Sequence, residues 1–428
     1  VASHNSRKSV LAKVRPFEAV RYNTSRFGKD VTRFVSPPYD VISPSAERAL
    51  KEDRLNISYI TLGNQDDAYR VAARRLKTWL DDKVLVKDQG KSFYIYEQTF
   101  AGLDGLPRVR SGIVGLVKLE ELSKGTVLAH EKTIPRHKED RMALIQAVRG
   151  NLEQIFLLYD DASGEIEDIL RTSKVREEEL RFIDADSVQH RIIRISDAYL
   201  VEKISKLFDP AKLLIADGHH RYETALEYRD SMRRKEGQGD KERPYDYIMA
   251  TLVGFRNPGL VVYPTHRLVS GVDEELVQSL PQKLEEEFEL KQFDRPETLA
   301  QAVEDSKREA FGVWIPGSDT LLLATRKKHG PSQRPIEDLP VYIVQEMVLR
   351  RLLGYTPEML DRKVNIEYVK GTDASKAEMA TGEHQACFFV KPPSLEQVMA
   401  IAQTGQKMPH KSTYFFPKMW SGTLMQLF

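Results

Sequence analysis

The stretch KLLIADGHHRYETAL, residues 212–226, constrains this chain more than any other. Leu213, Leu214 and Ile215 form a short apolar run bounded by Asp217-Gly218, which predicts a buried strand ending in a turn. Tyr222, Ala225 and Leu226 then recur at helical spacing. The fold must therefore join a buried strand to an amphipathic helix through one tight turn, with two histidines and an arginine at the junction. Asp217 is the N-cap candidate, its carboxylate accepting from a first-turn amide. Gly218 permits a sharp turn and a close approach of a ligand to the backbone. The amides of a first helical turn carry positive partial charge and form a ready anion site. His219, His220 and Arg221 would surround it. The arginine fork suits phosphate oxygens, and the histidines can donate hydrogen bonds. The stretch reads as a phosphate cradle. Plainer readings stand beside it: Asp217 as a cap only, and Arg221 paired with Glu223 or Glu227 on the helix surface. Adjacent histidines diverge by about 100° on a helix, so the pair is no metal clamp.

Elsewhere the pattern alternates. Ser43-Pro44 is a helix start, and residues 66–82 read as a helix with Val71, Leu76, Trp79 and Leu80 as its stripe. SFYIYEQTF and RSGIVGLVKL read as paired strands, QIFLLYD as a third and DYIMATLVGF as a fourth, with a helix near 197–208. Residues 231–244 read as a polar loop. Past Gly271 a helix is expected over 273–288, then strands AFGVWIP and TLLLATR, a loop at 329–335, and a buried helix carrying Met347, Leu349, Leu352 and Leu353. This alternation predicts a mixed α/β or α+β fold. A length of 428 residues predicts two or three folding units, and the restart gives regions 14–270 and 271–428, the second an α+β lobe.

Charge is balanced, with 64 basic and 63 acidic residues, so composition does not point to a polyanion partner. No helix-turn-helix or basic stripe is visible, and nucleic acid is not an expected partner. The lone Cys387 excludes intramolecular disulfides and cysteine-rich zinc sites. No apolar run is long enough to span a membrane, and the start VASHNSRKSVLAKV lacks an apolar signal core. A soluble cytoplasmic protein is expected, and a homo-oligomer is compatible with the sequence. The phosphate-loop pattern is missing: Gly90-Lys91-Ser92 has Leu85 where the first glycine should stand.

Several motifs in order carry a resemblance. PPYDVIS (37–43), EKT (131–133) with KEDR (138–141), IADGHHRYETAL (215–226) and PTHRLV (264–269) resemble the bacterial and archaeal domain-of-unknown-function family 1015. KMWSGTLMQ (418–426) resembles that family's ending, so the likeness spans roughly residues 14–426. DGHHR also resembles the second motif of the ParB/sulfiredoxin superfamily, where a strand–turn–helix binds nucleotide phosphates. His219-His220 departs from the Gly-Glu-Arg-Arg type of ParB and is closest to free-serine kinases, which transfer phosphate from ADP or ATP to the hydroxyl of L-serine. VRPFEAVRY is the counterpart of the first motif. The resemblance implies a ParB/sulfiredoxin-like nucleotide-binding core, with ATP or ADP (or CTP) and Mg²⁺ as cofactors and a small-molecule substrate. It implies that Gly218 through Arg221 contact phosphate.

A hydroxyl kinase needs charge neutralisation and a carboxylate to orient the hydroxyl. Asp40, in a proline-rich loop, and Glu18, near the first motif, are the candidates, alongside His219 and His220 at the transferring phosphoryl. Asp217 is the candidate metal ligand. Lys132, Arg136, Lys138 and Arg141 form a basic cluster; Lys132 and Arg141 join Tyr39 and Glu131 as substrate-binding candidates. Thr265, His266 and Arg267, at a strand end, are candidates for a second anion contact. Asp40 as a turn cap, Glu18 as an exposed strand residue and Arg267 as a surface residue are the plainer roles. The leading expectation is a nucleotide-dependent kinase acting on a serine-like metabolite. A nucleotide-hydrolysing switch of ParB type and an anion-binding regulator without catalysis are the alternatives. Sulfiredoxin chemistry needs a cysteine beside the turn, and Cys387 lies in an apolar strand, QACFFV.

Overall fold

The computed structural model describes residues 12–428 except 64–67, 134, 174–175, 210, 238, 240, 319, 328–331 and 333; at 68 and 135–137 the backbone alone is described. Residues 66 and 67 of the expected helix, and much of the expected 329–335 loop, lie outside the described residues. The chain forms two compact units. One comprises the chain up to Ala129, Thr133–Leu260 and Pro417–Phe428; the other comprises His130–Lys132 and Val261–Phe416. The division expected at 270 therefore falls at Leu260–Val261. The strand Thr265–Val269, assigned above to the first region, is an inner strand of the second unit's sheet, so the cut must precede it.

The first unit is built on a mixed nine-stranded sheet. Its strands are β1 (Val14–Arg15), β2 (Phe93–Ala101), β3 (Pro107–Lys118), β4 (Val127–Leu128), β5 (Ile155–Tyr159), β6 (Glu178–Ile183), β7 (Gln189–Ile195), β8 (Leu213–Asp217) and β9 (Tyr247–Gly254). The order is β4-β8-β5-β9-β3-β2-β7-β6, with β1 on β3. β8 lies parallel to β4 and antiparallel to β5. Being covered on both faces, β5 and β9 are buried along their whole length and read as continuous apolar runs rather than alternating ones. Leu213, Leu214 and Ile215 are fully buried, Leu213 and Ile215 in the cluster that holds Ile155, Leu157, Ile193, Ile204 and Phe208.

Three helices matter for the site: α1 (Pro135–Val148), α2 (Ala198–Phe208) and α3 (His219–Glu236). Asp197 caps α2, accepting from the Leu200 amide at 2.9 Å. α3 buries Tyr222, Ala225 and Leu226, as the spacing predicts, and also Thr224 and Tyr228. It runs further than expected. Residues 231–236, read above as loop, are its last turns, with Arg233, Arg234 and Lys235 at the negative end of the helix dipole. Gly237 then ends it at φ 83°. Two antiparallel hydrogen bonds join Ser36 to Ser421, at 2.8 and 3.2 Å, and so place the segment Pro417–Ser421 beside the proline-rich stretch.

The second unit holds a six-stranded antiparallel sheet: β10 (Thr265–Val269), β11 (Phe288–Gln292), β12 (Ala310–Ile315), β13 (Thr320–Arg326), β14 (Ile366–Lys370) and β15 (Ala386–Val390), ordered β11-β13-β12-β15-β10-β14. The helix expected over 273–288 is broken into Glu274–Gln278 and Leu280–Leu284, because Pro281 has no amide to donate and sits in the first turn of the second piece. Residues 344–352 wind as a wider helix. Its extra residue per turn moves the buried face, so Val344, Val348 and Leu349 are buried while Met347 and Leu352 are only half-buried. Cys387 lies wholly buried in β15, as read from QACFFV. Among the described residues no helix is long and apolar enough to cross a membrane.

Phe208 closes α2 against the sheet, its ring edge-on to Tyr159 at 4.9 Å between centroids, and is fully buried. Phe208→Ala is expected to cost about 3–5 kcal/mol of stability in the first unit, measured by urea-dependent hydrogen exchange at the β5 and β8 amides.

Candidate functional site

The site begins with an irregularity in β8. Ile215 pairs with Leu157, yet Asp217 pairs with Phe156, so Ala216 is an extra residue. Such a bulge turns the strand end and re-aims the side chain that follows. Gly218 then takes φ 97°, the left-handed region that favours glycine. A Cβ there would lie 2.7 Å from Ile155 Cγ2 and 3.2 Å from Arg221 Nε. The backbone is thus packed directly on β5.

Gly218, not Asp217, is the N-cap of α3, a residue with no side chain to serve as a cap. The expected cap is corrected by the bulge, which puts the cap position one residue past the Asp217 carboxylate. It is held instead between two cations. Arg221 Nη2 donates to Asp217 Oδ2 at 2.8 Å, and Lys418 Nζ donates to Asp217 Oδ1 at 2.6 Å. Arg221 Nη1 donates to the Gln154 carbonyl at 2.7 Å. Arg221 therefore does not pair with Glu223 or Glu227. Those two belong to Lys138 of α1, whose Nζ is 3.4 Å from Glu223 and also bonds Glu227. His219 is buried and His220 half-buried on the first turn.

Arg141 and Glu153 extend the site. The Arg141 guanidinium lies over the Tyr39 ring at 4.1 Å, a cation–π contact. Its Nε bonds Asp140 Oδ2 at 2.9 Å and its Nη2 bonds the Thr61 carbonyl at 2.9 Å. Among the described residues its Nη1 makes no hydrogen bond, with Glu153 Oε2 standing 3.7 Å away. Glu153 Oε1 accepts from the Ser421 hydroxyl at 2.6 Å. Burial alone would lower the pKa of Arg141 and Arg221, but Glu153 with Asp140, and Glu153 with Asp217, outweigh it and hold both firmly charged. Burial, then the charge of Asp40, pushes Tyr39 well above the ordinary phenol value. Asp40 is exposed on the short turn Tyr39–Val41, and its charge also acts on Arg221. A small cavity of about 40 Å³ is lined by Arg141, Glu153, Arg221 and Thr224 together with apolar residues of α1 and Ile248.

The structure thus brings together Tyr39, Asp40, Arg141, Asp217, Gly218, His219, His220 and Arg221. Glu18 is not with them: its carboxylate is 2.9 Å from Lys87, and the bond and charge of that lysine hold its pKa below the ordinary value. Glu131 and Lys132 belong to the second unit. There Glu131 accepts from the Thr413 hydroxyl at 3.3 Å, and Lys132 is exposed. The Arg136 side chain lies outside those described. Thr265, His266 and Arg267 also belong to the second unit, and they are a correction. They form an inner, wholly buried strand rather than a strand end open to an anion. His266 Nδ1 accepts from the Val390 amide at 3.2 Å. Arg267 donates to the carbonyls of Thr265 and Lys411. Lys418, Glu153 and Ser421 were missed by the motif reading. KMWSGTLMQ was noticed as a family ending, but its lysine lies 201 positions from Asp217 in sequence, beyond the reach of any local pattern.

Residues 14–343 match the family model described as protein of unknown function (DUF1015). No curated protein matches the sequence. Among solved structures, a free serine kinase in complex with AMP is 17% identical, with 68% of this chain and 83% of that chain covered and a TM-score of 0.34. A conserved hypothetical protein from Pyrococcus furiosus is 17% identical, covering 71% of this chain and 91% of its own, with a TM-score of 0.37. C-terminally truncated SbnI from Staphylococcus aureus is 9% identical, covering 73% and 81%, with a TM-score of 0.33.

Gly218→Ala is expected to cost about 1–3 kcal/mol, the strain of a positive φ on an alanine, read as a lowered melting temperature. In the second unit, burial and then the Arg267 charge lower His266 from 6.5 to about 3. Between those values the unfolded chain binds a proton that the folded chain refuses. Stability of the second unit therefore falls as pH drops below 6.5, by up to about 1.4 kcal/mol per pH unit. His266→Gln should remove that slope, measured by hydrogen exchange at the β10 and β15 amides across the range.

Proposed function

This chain belongs to the DUF1015 family of proteins of unknown function, and we propose that it is a nucleotide-dependent kinase phosphorylating a hydroxyl of a serine-like small metabolite. The observation that carries the reading is the N-terminus of α3, which starts on a glycine at φ 97° and stands beside the buried Arg221. First-turn amides and a buried arginine are the donors that phosphate oxygens need. In this reading the amides at Gly218 and His219 hold the phosphates of ATP or ADP, with CTP a third donor to test. Arg221 supplies the fixed charge beside them. The half-buried His220 faces the transferring phosphoryl.

Asp40 is the carboxylate for the hydroxyl. The acceptor oxygen attacks the terminal phosphorus, its proton passes to Asp40, and the nucleotide leaves one phosphate shorter. Glu18 is set aside for this role because Lys87 holds it. Mg²⁺, when bound, neutralises the charge that builds on the phosphates. Asp217 fits such an ion poorly, because both of its oxygens already accept from cations. Asp40 fits better, since Mg²⁺ commonly takes one or two carboxylates and the phosphates themselves. The one group of three acid or histidine ligands among the described residues, Glu367, Glu378 and His384, belongs to the second unit.

The test is phosphorus NMR on the protein with Mg²⁺ and ATP, ADP or CTP, with and without L-serine. A phosphoester signal that needs both protein and acceptor is expected, and Arg221→Ala should slow it about 10²–10³-fold, the loss typical of one charge-stabilising donor. Turnover unchanged in both Arg221→Ala and His220→Ala would overturn the site. Release of inorganic phosphate with no ester signal would favour a hydrolysing switch instead.

A further inference from the structure

We propose that Glu367, Glu378 and His384 bind a divalent transition ion of the zinc class, a metal staple within the second unit. The site does not depend on the phosphate reading above.

Three elements bring the ligands together. Glu367 is the second residue of β14 and pairs with Leu268 of β10, which pairs on its other side with Cys387 of β15. Residues paired directly across strands share a sheet face. That face is covered by α4 (Thr372–Ala380), whose Met379 packs in one cluster with Leu268, Val369 and Cys387. Glu378 lies in the last turn of α4, and His384 stands two residues before β15. One ligand atom from each of the three side chains lies within 4.8 Å of the other two. The turn that carries His384 is pinned on both sides. Thr381 Oγ1 donates to the Glu378 carbonyl at 2.7 Å and accepts from the Glu383 amide at 3.2 Å. The Gln385 side chain bonds both the amide and the carbonyl of Val272 at 2.8 Å.

The imidazole is the observation that separates this cluster from an ordinary acidic surface. The His384 side chain is only 8% exposed, and its Nε2 faces Glu367 Oε2 at 3.3 Å. Its Nδ1 is buried with no hydrogen-bond partner among the described residues. A proton on Nε2 alone leaves Nδ1 a buried acceptor without a donor. A proton on Nδ1 alone turns the Nε2 lone pair toward a carboxylate. A cation in front of Nε2 accepts that lone pair and both carboxylates together, and fixes the proton on Nδ1.

Charge points the same way. Among the described residues neither Glu367 nor Glu378 pairs with a lysine or arginine. Glu378 also stands at the negative end of its helix, where a carboxylate is disfavoured. The distance then favours an ion over a direct bond. A charge-assisted N–H···O contact draws in to about 2.7–2.9 Å. Ligand atoms about 2.0–2.1 Å from a tetrahedral zinc stand about 3.3–3.4 Å apart, and Nε2 and Oε2 are 3.3 Å apart. Magnesium and calcium prefer shells of oxygen alone, whereas imidazole suits zinc and its neighbours. Three protein ligands leave the fourth tetrahedral position to water.

The test titrates the full chain, stripped by a chelator and then freed of it, with Zn²⁺ alone in a calorimeter, beside Glu367→Gln, Glu378→Gln and His384→Gln. The parent is expected to bind Zn²⁺ with a Kd tighter than about 10 μM, and Mg²⁺ at least about 100-fold more weakly. Each variant should lose about 100-fold or more in Zn²⁺ affinity, since even partners outside the ligand shell are worth 10–100-fold. Zn²⁺ should also slow hydrogen exchange at the β14 and β15 amides in the parent and not in the variants. A parent Kd weaker than about 10 μM, or variants that match the parent, would overturn the site. A preference for Mg²⁺ over Zn²⁺ would overturn the class of ion. If His384→Gln or Glu378→Gln loses its cooperative melt, Glu367→Gln decides by the same affinity criterion, because the Glu367 side chain is 52% exposed and its replacement leaves the core intact.

Discussion

Everything around the candidate site is organised by one carboxylate shared between two cations. Asp217 stands at the end of β8, displaced by a bulge, and ties the helix that follows it to a segment from the far end of the chain. Through Arg221 it also reaches the Gln154 carbonyl, and so the start of β5. Inside a protein such a shared pair is stable only when each remaining donor is also met. Here Nη1 of Arg221 meets a backbone carbonyl, while Nη1 of Arg141 has no hydrogen-bond partner among the described residues.

Much of this fold was legible in the sequence. The apolar runs of β2, β3, β5, β8 and β9 are buried and long enough to declare themselves, and the turn at Asp217-Gly218 marks its own position. The mixed α+β architecture follows. The misreadings have local physical causes. The polar composition of residues 231–236 looked like a loop, but a helix end rich in arginine and lysine is favourable at its own dipole. Pro281 broke a helix that its flanking apolar residues had suggested. The stretch Thr265–Val269 was read as the close of one region because polar Thr-His-Arg looks like a strand end. In the sheet Arg267 donates to carbonyls, His266 accepts from an amide of the neighbouring strand, and the polar letters are buried.

The site was half legible. Gly218 through Arg221, Asp40, Tyr39 and Arg141 carried signals of residue type and turn chemistry. Glu153 and Ser421 carried none, since an isolated acid before a strand and a serine near a terminus are common. Lys418 lies in a stretch whose order of residues could be recognised but whose partner could not, because an ion pair across 201 positions is a property of topology and not of spacing. Asp217 shows the opposite failure: its place at the turn was legible, and its role as a cap was displaced by one extra residue in the strand.

The discontinuity of the first unit has a consequence for how the protein is made. Residues Val261–Phe416 are interposed between two parts of one unit, and their ends meet as a two-stranded ribbon, Val261–Tyr263 against Tyr414–Phe416. The interposed portion therefore closes on itself, much as an inserted cassette does. During synthesis the Asp217-Gly218 turn and its helix leave the ribosome long before Lys418 does. Until the last stretch follows, Asp217 lacks the Lys418 ammonium, Glu153 lacks the Ser421 hydroxyl, and Tyr96 lacks the Trp420 amide. The turn is in place before the segment that braces it, and a chain released early would carry the motif without that brace.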